Sequence, residues 1–362
     1  MKTYRIATIA GDGIGPEVTR SALEVLTEAL GSSRIAFEMV EGGATHYQRT
    51  GEVLPESTFA ACRDLDAILH GAAGLPGVTY PDGTEVGNEL HLQLRFRLDL
   101  YANMRPIRLL RGVRSPLRDF DGGGIDYVVV RENTEGLYAS RGAGVLLRDE
   151  MASDTLVVTR KGTERIASFA FDLARSRNGA PRDGTSRVTV CDKANILRSY
   201  AFFRAICDEI HASFPDVGID YAYADAITVH MLKRPDHFDV IVAENMFGDI
   251  ISDLGAATVG GMGISPSGEI GENHALFQGA HGSAPDIAGQ NVASPVATVL
   301  SGALMLRWLA RQHDDPSLTD AADRIDRAVE QVLATGESVP RDLGGTASCT
   351  EMTQAICRTL AA

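Results

Sequence analysis

The sequence predicts an α/β protein of two domains. Strand-like, β-branched runs alternate with segments of helical periodicity. The 362 residues are enough for two domains at roughly 150 residues each. Hydrophobic residues make up 44% of the chain, ample for a large core. Charged residues, at 23%, are near the ordinary globular value, which excludes wholesale disorder and a fibrous protein.

In chain order, residues 4–10 are apolar and β-branched, a glycine turn follows, and Val18, Ala22, Leu26 and Leu30 then recur at helical spacing. Further strand-like runs lie at 35–40, 65–69, 127–130, 156–159, 188–191 and 238–243. Ile166, Phe169, Ala170 and Leu173 mark one intervening helix, and Ala201, Ala205, Ile206 and Ile210 another. Residues 293–306 are nearly apolar but contain Ser294, Pro295, Thr298 and Ser301. They fall short of the roughly 20 residues a membrane span needs, so they read as a buried helix. The most polar, glycine-containing linker candidates, 118–124 and 176–186, are too short to separate independent modules.

The balance of 34 basic and 48 acidic side chains gives a net charge of −14, which repels a phosphate backbone and argues against a nucleic-acid partner, though not against small anions. Cysteines 62, 191, 207, 349 and 357 form no CxxC pair and no zinc spacing. With no export signal or membrane segment in view, the expectation is a cytoplasmic protein.

Five segments carry candidate chemistry. In Gly11-Asp12-Gly13-Ile14-Gly15-Pro16-Glu17, clustered glycines after a strand let the backbone approach a ligand, or simply make a tight strand-to-helix turn; the spacing is not GxGxxG. Arg95 and Arg97 in a helix, Arg105, and Arg131 at the end of a strand form a set of guanidinium groups. If they converge, they select a di- or tricarboxylic acid. In Asn245-Met246-Phe247-Gly248-Asp249-Ile250-Ile251-Ser252-Asp253, a helix starting near Gly248 places Asp249 and Asp253 on one face, with Cβ atoms about 5–6 Å apart. Such a pair either holds a hard divalent cation or favours the helix's positive end, and Asp225 is a candidate third carboxylate. Lys193, in Asp192-Lys193-Ala194-Asn195, and Tyr138 can exchange protons at neutral pH if burial or nearby charge lowers their pKa values. Finally, the small-residue loop His281-Gly282-Ser283-Ala284-Pro285-Asp286-Ile287 suits a flat ring and a ribose, whose diol fits Asp286.

Taken in this order, the five segments closely resemble the isocitrate and 3-isopropylmalate dehydrogenase family, the metal-dependent β-decarboxylating dehydrogenases, over nearly the whole chain. The resemblance implies a two-domain fold that is not a Rossmann fold. Residues 1–100 and 260–362 would form the large, nucleotide-side domain, and 101–259 the small central domain with dimer contacts. It implies a homodimer with shared active sites: Arg95, Arg105 and Arg131 on the malate carboxylates, and Asp249 and Asp253 with the partner subunit's Asp225 on Mg²⁺ or Mn²⁺. Tyr138 and the partner subunit's Lys193 would be the acid–base pair, with Ile14, Asn195 and residues 281–287 around the dinucleotide. Members that prefer NADP usually place lysine and tyrosine where this chain has Asp286 and Ile287, so NAD is expected. Two departures bear on nucleotide binding: Gln278 stands where relatives generally have glutamate, and Ser294 where an asparagine often contacts adenine.

By that resemblance, the helix preceding Arg95 would read the C3 substituent of the substrate. Isocitrate enzymes typically have Ser and Asn where this chain has Glu89 and His91; isopropylmalate enzymes tend to have Glu, Leu and Leu where it has Asn88, His91 and Leu92. Residues 105–117, with 131–138, also look like the tartrate and D-malate branch, whereas Asp192-Lys193-Ala194-Asn195 is closer to isopropylmalate and isocitrate enzymes. The expectation is oxidative decarboxylation of a 3-substituted malate, most like that of 3-isopropylmalate dehydrogenase. Isocitrate, homoisocitrate, tartrate or D-malate, and a catalytically silent metabolite-binding homologue, are the alternatives. His91, one helical turn before Arg95, favours a polar or anionic C3 substituent if it lines the pocket.

Overall fold

A computed structural model of the chain describes residues 2–87, 89–118, 120 and 124–362. It resolves two compact units: Met1–Asp99 with Leu110–Arg114 and Gly260–Ala362 (the terminal unit), and Leu100–Leu109 with Ser115–Val259 (the central unit). Both linker candidates fall inside the central unit, and Asp119 and residues 121–123 of the first lie outside the described residues.

The terminal unit starts with β1 (Tyr4–Gly11), α1 (Gly15–Leu30), β2 (Ile35–Val40), α2 (Ala44–Thr50), α3 (Glu56–Asp64), β3 (Ala67–Ala72) and α4 (Glu89–Arg97). The central unit contributes β4 (Ala102–Arg108), β5 (Asp126–Glu132), the hairpin β6 (Val145–Leu147) and β7 (Met151–Ser153), α5 (Arg160–Ser176), β8 (Arg187–Asp192), α6 (Arg198–His211), β9 (Gly218–Tyr223), α7 (Ala224–Lys233), β10 (Val240–Ala243) and α8 (Asn245–Thr258). The chain then completes the terminal unit with β11 (Pro266–Ile270), β12 (Ala275–Gly279), α9 (Val296–His313), α10 (Pro316–Thr335) and α11 (Cys349–Ala361).

In the terminal unit the strands run β2-β1-β3-β12-β11, parallel except for the antiparallel β11–β12 pair. In the central unit they run β4-β5-β10-β8-β9, parallel except for β4–β5. Neither order is that of a Rossmann sheet. The sheets form from continuous apolar runs such as Val128, Val129 and Val130 in β5 and Val240, Ile241 and Val242 in β10, all buried because helices cover the parallel strands.

Helix α1 opens on Pro16, whose fixed φ suits a first turn, and buries Val18, Ala22, Val25 and Leu26. Gly302 in α9 lets it pack closely, since a Cβ there would lie 3.0 Å from Leu26 Cδ1. The stretch 293–306 is indeed a buried helix from Val296 on. Helix α11 is started by a capping box between Ser348 and Glu351.

Two sequence expectations fail. Residues 156–159 are not a strand: only Val157 makes a β-bridge, to Gly136, and Thr159 instead caps α5 by accepting from the Gly162 N–H. In α6 the helix is present but turned, with Ala201 and Ala205 exposed and Tyr200, Phe203, Ile206 and Cys207 buried, because the large side chains take the core. Among the described residues all five cysteines are free, and no helix is long and apolar enough to cross a membrane.

Candidate active site

The central unit's chemistry is organised by α8. Glu244, buried at its N-cap, accepts from the Met246 and Phe247 N–H groups and from the Tyr200 hydroxyl at 2.9 Å. The helix therefore starts three residues before Gly248, and Asp249 and Asp253 lie one turn apart beyond its first turn. Their place reflects more than attraction to the helix end, which fades within that turn. Gly248 faces β5: a Cβ there would come within 2.7 Å of Arg131 Cβ and Cγ, so glycine lets the helix lie directly on the arginine.

Arg131 is 3% exposed in its side chain and held from two sides. Its Nε and Nη2 donate to Asn245 Oδ1 at 2.9 and 2.7 Å, and its Nη1 donates to Asp249 Oδ1. Asn245 is fixed in turn by donating to the Glu135 carbonyl at 2.9 Å. Asp249 Oδ2 accepts from the Tyr138 hydroxyl at 3.1 Å. Burial, reinforced by the Asp249 charge, pushes Tyr138 above its usual pKa, opposite to the lowering considered above; Tyr138 holds its proton at neutral pH. On the next turn Asp253 meets only the outer reach of Arg105, with Nη1 to Oδ1 at 3.6 Å, while Arg105 Nε donates to Asn103 Oδ1 at 3.0 Å. Burial pushes the Asp253 carboxyl above its usual range, Arg105 opposing and Asp249 adding to the shift.

Lys193 follows β8 and donates to Asp225 in the first turn of α7, a contact that lowers the Asp225 carboxyl pKa. Asp225 is not brought to Asp249 and Asp253: among the described residues no group of three or more His, Cys, Asp or Glu side chains is placed to hold a metal. The two α8 carboxylates have the oxygen chemistry a hard divalent cation takes. One chain supplies two of the three expected donors.

In the terminal unit the glycine turn and the small-residue loop come together. The Ile14 N–H donates to the Ser283 carbonyl at 2.8 Å, and a Cβ on Gly13, whose φ is +57°, would lie 2.0 Å from that oxygen. Ile14, Val18 and Ala293 form a small apolar cluster with Ala284 and Ile287 against it. Asp12 is structural, its buried carboxylate accepting from the Ala44, Thr45 and Gly74 N–H groups at 2.7–2.9 Å. Gly282, Pro285 and Asp286 are exposed, and His281 is part-buried, its ring 3.0 Å from the Gly282 carbonyl. Ser294 is buried and accepts from the Val296 N–H at 3.4 Å. Asn195 is exposed beyond β8 in the central unit.

Helix α4 carries His91 and Arg95 on one face, as their spacing predicts, with both side chains beside Glu269 of β11. Arg97 faces elsewhere and pairs with Glu56 at 2.8 Å. Asn88 lies outside the described residues. Sequence reasoning did not single out Glu244, Asn103 or Glu269, nor give Asn245 a role. Asn245 begins the segment 245–253 and Asn103 lies two residues before Arg105; Glu269 has no local signal, being far from Arg95 in sequence.

The sequence matches the isocitrate/isopropylmalate dehydrogenase family over residues 5–356. The chain belongs to that family. It is 42% identical over 358 residues to a 3-isopropylmalate/3-methylmalate dehydrogenase from Methanocaldococcus jannaschii, covering 98% of each chain. It is 43% identical over 340 residues to a 3-isopropylmalate dehydrogenase from Corynebacterium kroppenstedtii, covering 91% of this chain and 94% of the other. The crystal structure of an isocitrate dehydrogenase from Methylococcus capsulatus superposes with a TM-score of 0.87 at 36% identity, covering 99% of this chain and all of the other. Family membership covers both units and every segment described above.

Because Asn245 Oδ1 takes two donors of a buried guanidinium, Asn245→Leu should destabilise the protein by about 1.5–3 kcal/mol in urea denaturation. Unchanged stability would mean that Asn245 does not hold Arg131.

Proposed function

We propose that the protein is an NAD-dependent, Mg²⁺- or Mn²⁺-dependent dehydrogenase that oxidatively decarboxylates a 3-substituted malate, most like 3-isopropylmalate dehydrogenase. The observation that carries the reading is the set around β5 and α8, in which Arg131 of β5, Asp249 of α8 and the protonated Tyr138 from the turn after β5 share one hydrogen-bonded cluster next to Asp253 of α8 and Arg105 of β4. Relatives named as 3-isopropylmalate dehydrogenases support that substrate over the other branches.

On this reading Arg131 and Arg105, with Arg95, bind the malate carboxylates, and a substrate carboxylate takes over from Asp249 as the partner of Arg131. Asp249 and Asp253, with the partner subunit's Asp225, would hold the cation, which when bound polarises the C2 oxygen for hydride transfer to NAD and for loss of CO₂. The partner subunit's Lys193 takes the proton of the C2 hydroxyl as the hydride leaves C2. After the bond from C3 to the departing carboxylate breaks, Tyr138, kept protonated by its surroundings, gives its proton to C3. Ile14, Asn195 and residues 281–287 would line the NAD site, with Asp286 accepting from the ribose diol and repelling a 2′-phosphate.

A second copy is the natural source of the third carboxylate. Exposed apolar side chains concentrate in the central unit: Leu146 and Met151 on the β6–β7 hairpin, Ile196 and Leu197 just after Lys193, Val229 in the helix of Asp225, and Ile250 next to Asp249. Such exposure, flanking residues of the proposed site in sequence, suits a homodimer interface.

Incubated with NAD, Mn²⁺ and a panel of 3-substituted malates, the protein should form NADH and CO₂ with at least one member, with kcat/KM for NADP well below that for NAD. No product from any member would establish a silent homologue, and equal use of NADP would remove the role of Asp286. Lys193→Met and Tyr138→Phe chains should each be inactive alone. Mixed one to one, they should recover up to about a quarter of wild-type activity, because half the dimers then hold one intact site. No recovery from subunits shown to exchange would place each site within a single chain.

A further inference from the structure

Arg95 is paired with a buried carboxylate. Glu269 on β11 has a fully buried side chain; Arg95 Nη2 donates to its Oε1 at 2.7 Å and Nε to its Oε2 at 3.1 Å. The guanidinium is itself buried, with 7% of the side chain exposed. His91 Nε2 lies 3.8 Å from the same Oε1, and its ring meets His70 edge-on, with centroids 4.9 Å apart. His70 is fully buried on β3 and its Nδ1 lies 2.9 Å from Gln278 Oε1; burial lowers its pKa, so it adds no charge at neutral pH.

The consequence is electrostatic. A bidentate pair of one guanidinium and one carboxylate has no net charge, and neither partner leaves it cheaply, since a buried ion stripped of its counter-ion is strongly destabilised. Arg95 therefore serves as an oriented donor whose positive charge is already spoken for. An imidazolium at His91 would likewise face Glu269. Both features oppose the anionic C3 substituent that His91 alone suggests.

We propose that Glu269 is a specificity-determining positioning residue. By pairing with Arg95 it cancels the positive charge that α4 brings to the C3 end of the substrate, and so restricts the enzyme to malates whose C3 substituent is uncharged. The inference rests on the reading of Arg95 as a substrate contact in a 3-substituted-malate dehydrogenase.

The test is the ratio of kcat/KM for 3-isopropylmalate to that for isocitrate, which carries an additional carboxylate, at saturating NAD and Mn²⁺. The wild-type ratio should favour 3-isopropylmalate. Glu269→Gln leaves the guanidinium charge uncancelled and should shift the ratio toward isocitrate by at least about tenfold, the scale of one charge-assisted interaction. Glu269→Asp, which keeps the charge, should leave the ratio within about threefold of wild type. A merely structural role would lower both activities and leave the ratio unmoved. If Glu269→Gln does not fold, the double variant Arg95→Gln with Glu269→Gln decides: neutral like the native pair, it should keep the wild-type ratio while activity falls with both substrates. An unchanged ratio in folded Glu269→Gln, a tenfold shift in the double variant, or a wild-type preference for isocitrate would overturn the inference and leave the dehydrogenase reading standing. A wild-type protein that turns over neither substrate nor any other malate would overturn both.

Discussion

The proposed chemistry depends on one buried arginine. Arg131 projects from β5 with its guanidinium almost wholly enclosed, and a charge in that position requires a full set of acceptors. Asn245 and Asp249, one turn apart on α8, provide them. This requirement fixes how the helix lies. Glu244 caps it so that Asn245 is its first residue, and Gly248 keeps its surface bare where the arginine passes. Asp253 follows as the next residue on that face and meets Arg105. The proposed cation site and the proposed carboxylate site would thereby share the same few groups.

Sharing has a chemical consequence. With Arg131 and Tyr138 both bonded to Asp249, the carboxylate that should bind a cation is already occupied, and Tyr138 keeps its proton because that carboxylate and burial both oppose its loss. A substrate carboxylate competing for Arg131 would release Asp249. On the proposed reading, cation and substrate would then favour each other's binding, a coupling that works equally in both directions.

Much of this arrangement is legible in the sequence, for definite reasons. The alternation of strands and helices follows from period and composition, and the spacing of Asp249 and Asp253, or of His91 and Arg95, follows from helical geometry once the helix is granted. Local pattern fails where a single capping contact decides the matter. Residues 156–159 have the composition of a strand, yet Thr159 is drawn into the start of α5 while Glu135 accepts from its N–H. In α6 the alanines are apolar enough to suggest a buried face, but the bulk of Tyr200 and Phe203 determines which side packs inward. Pairs distant in sequence are the least legible. Nothing near Arg95 announces Glu269, and the cysteines and the acidic net charge point to no site.

The most direct measurement is the affinity for Mn²⁺, by titration calorimetry without NAD, in the presence and absence of a 3-substituted malate that supports turnover. If Arg131 is the group for which Asp249 and the substrate compete, saturating malate should tighten Mn²⁺ binding by at least about tenfold, within the ordinary range of coupling between two sites. An affinity for Mn²⁺ that is the same with and without malate would contradict the account.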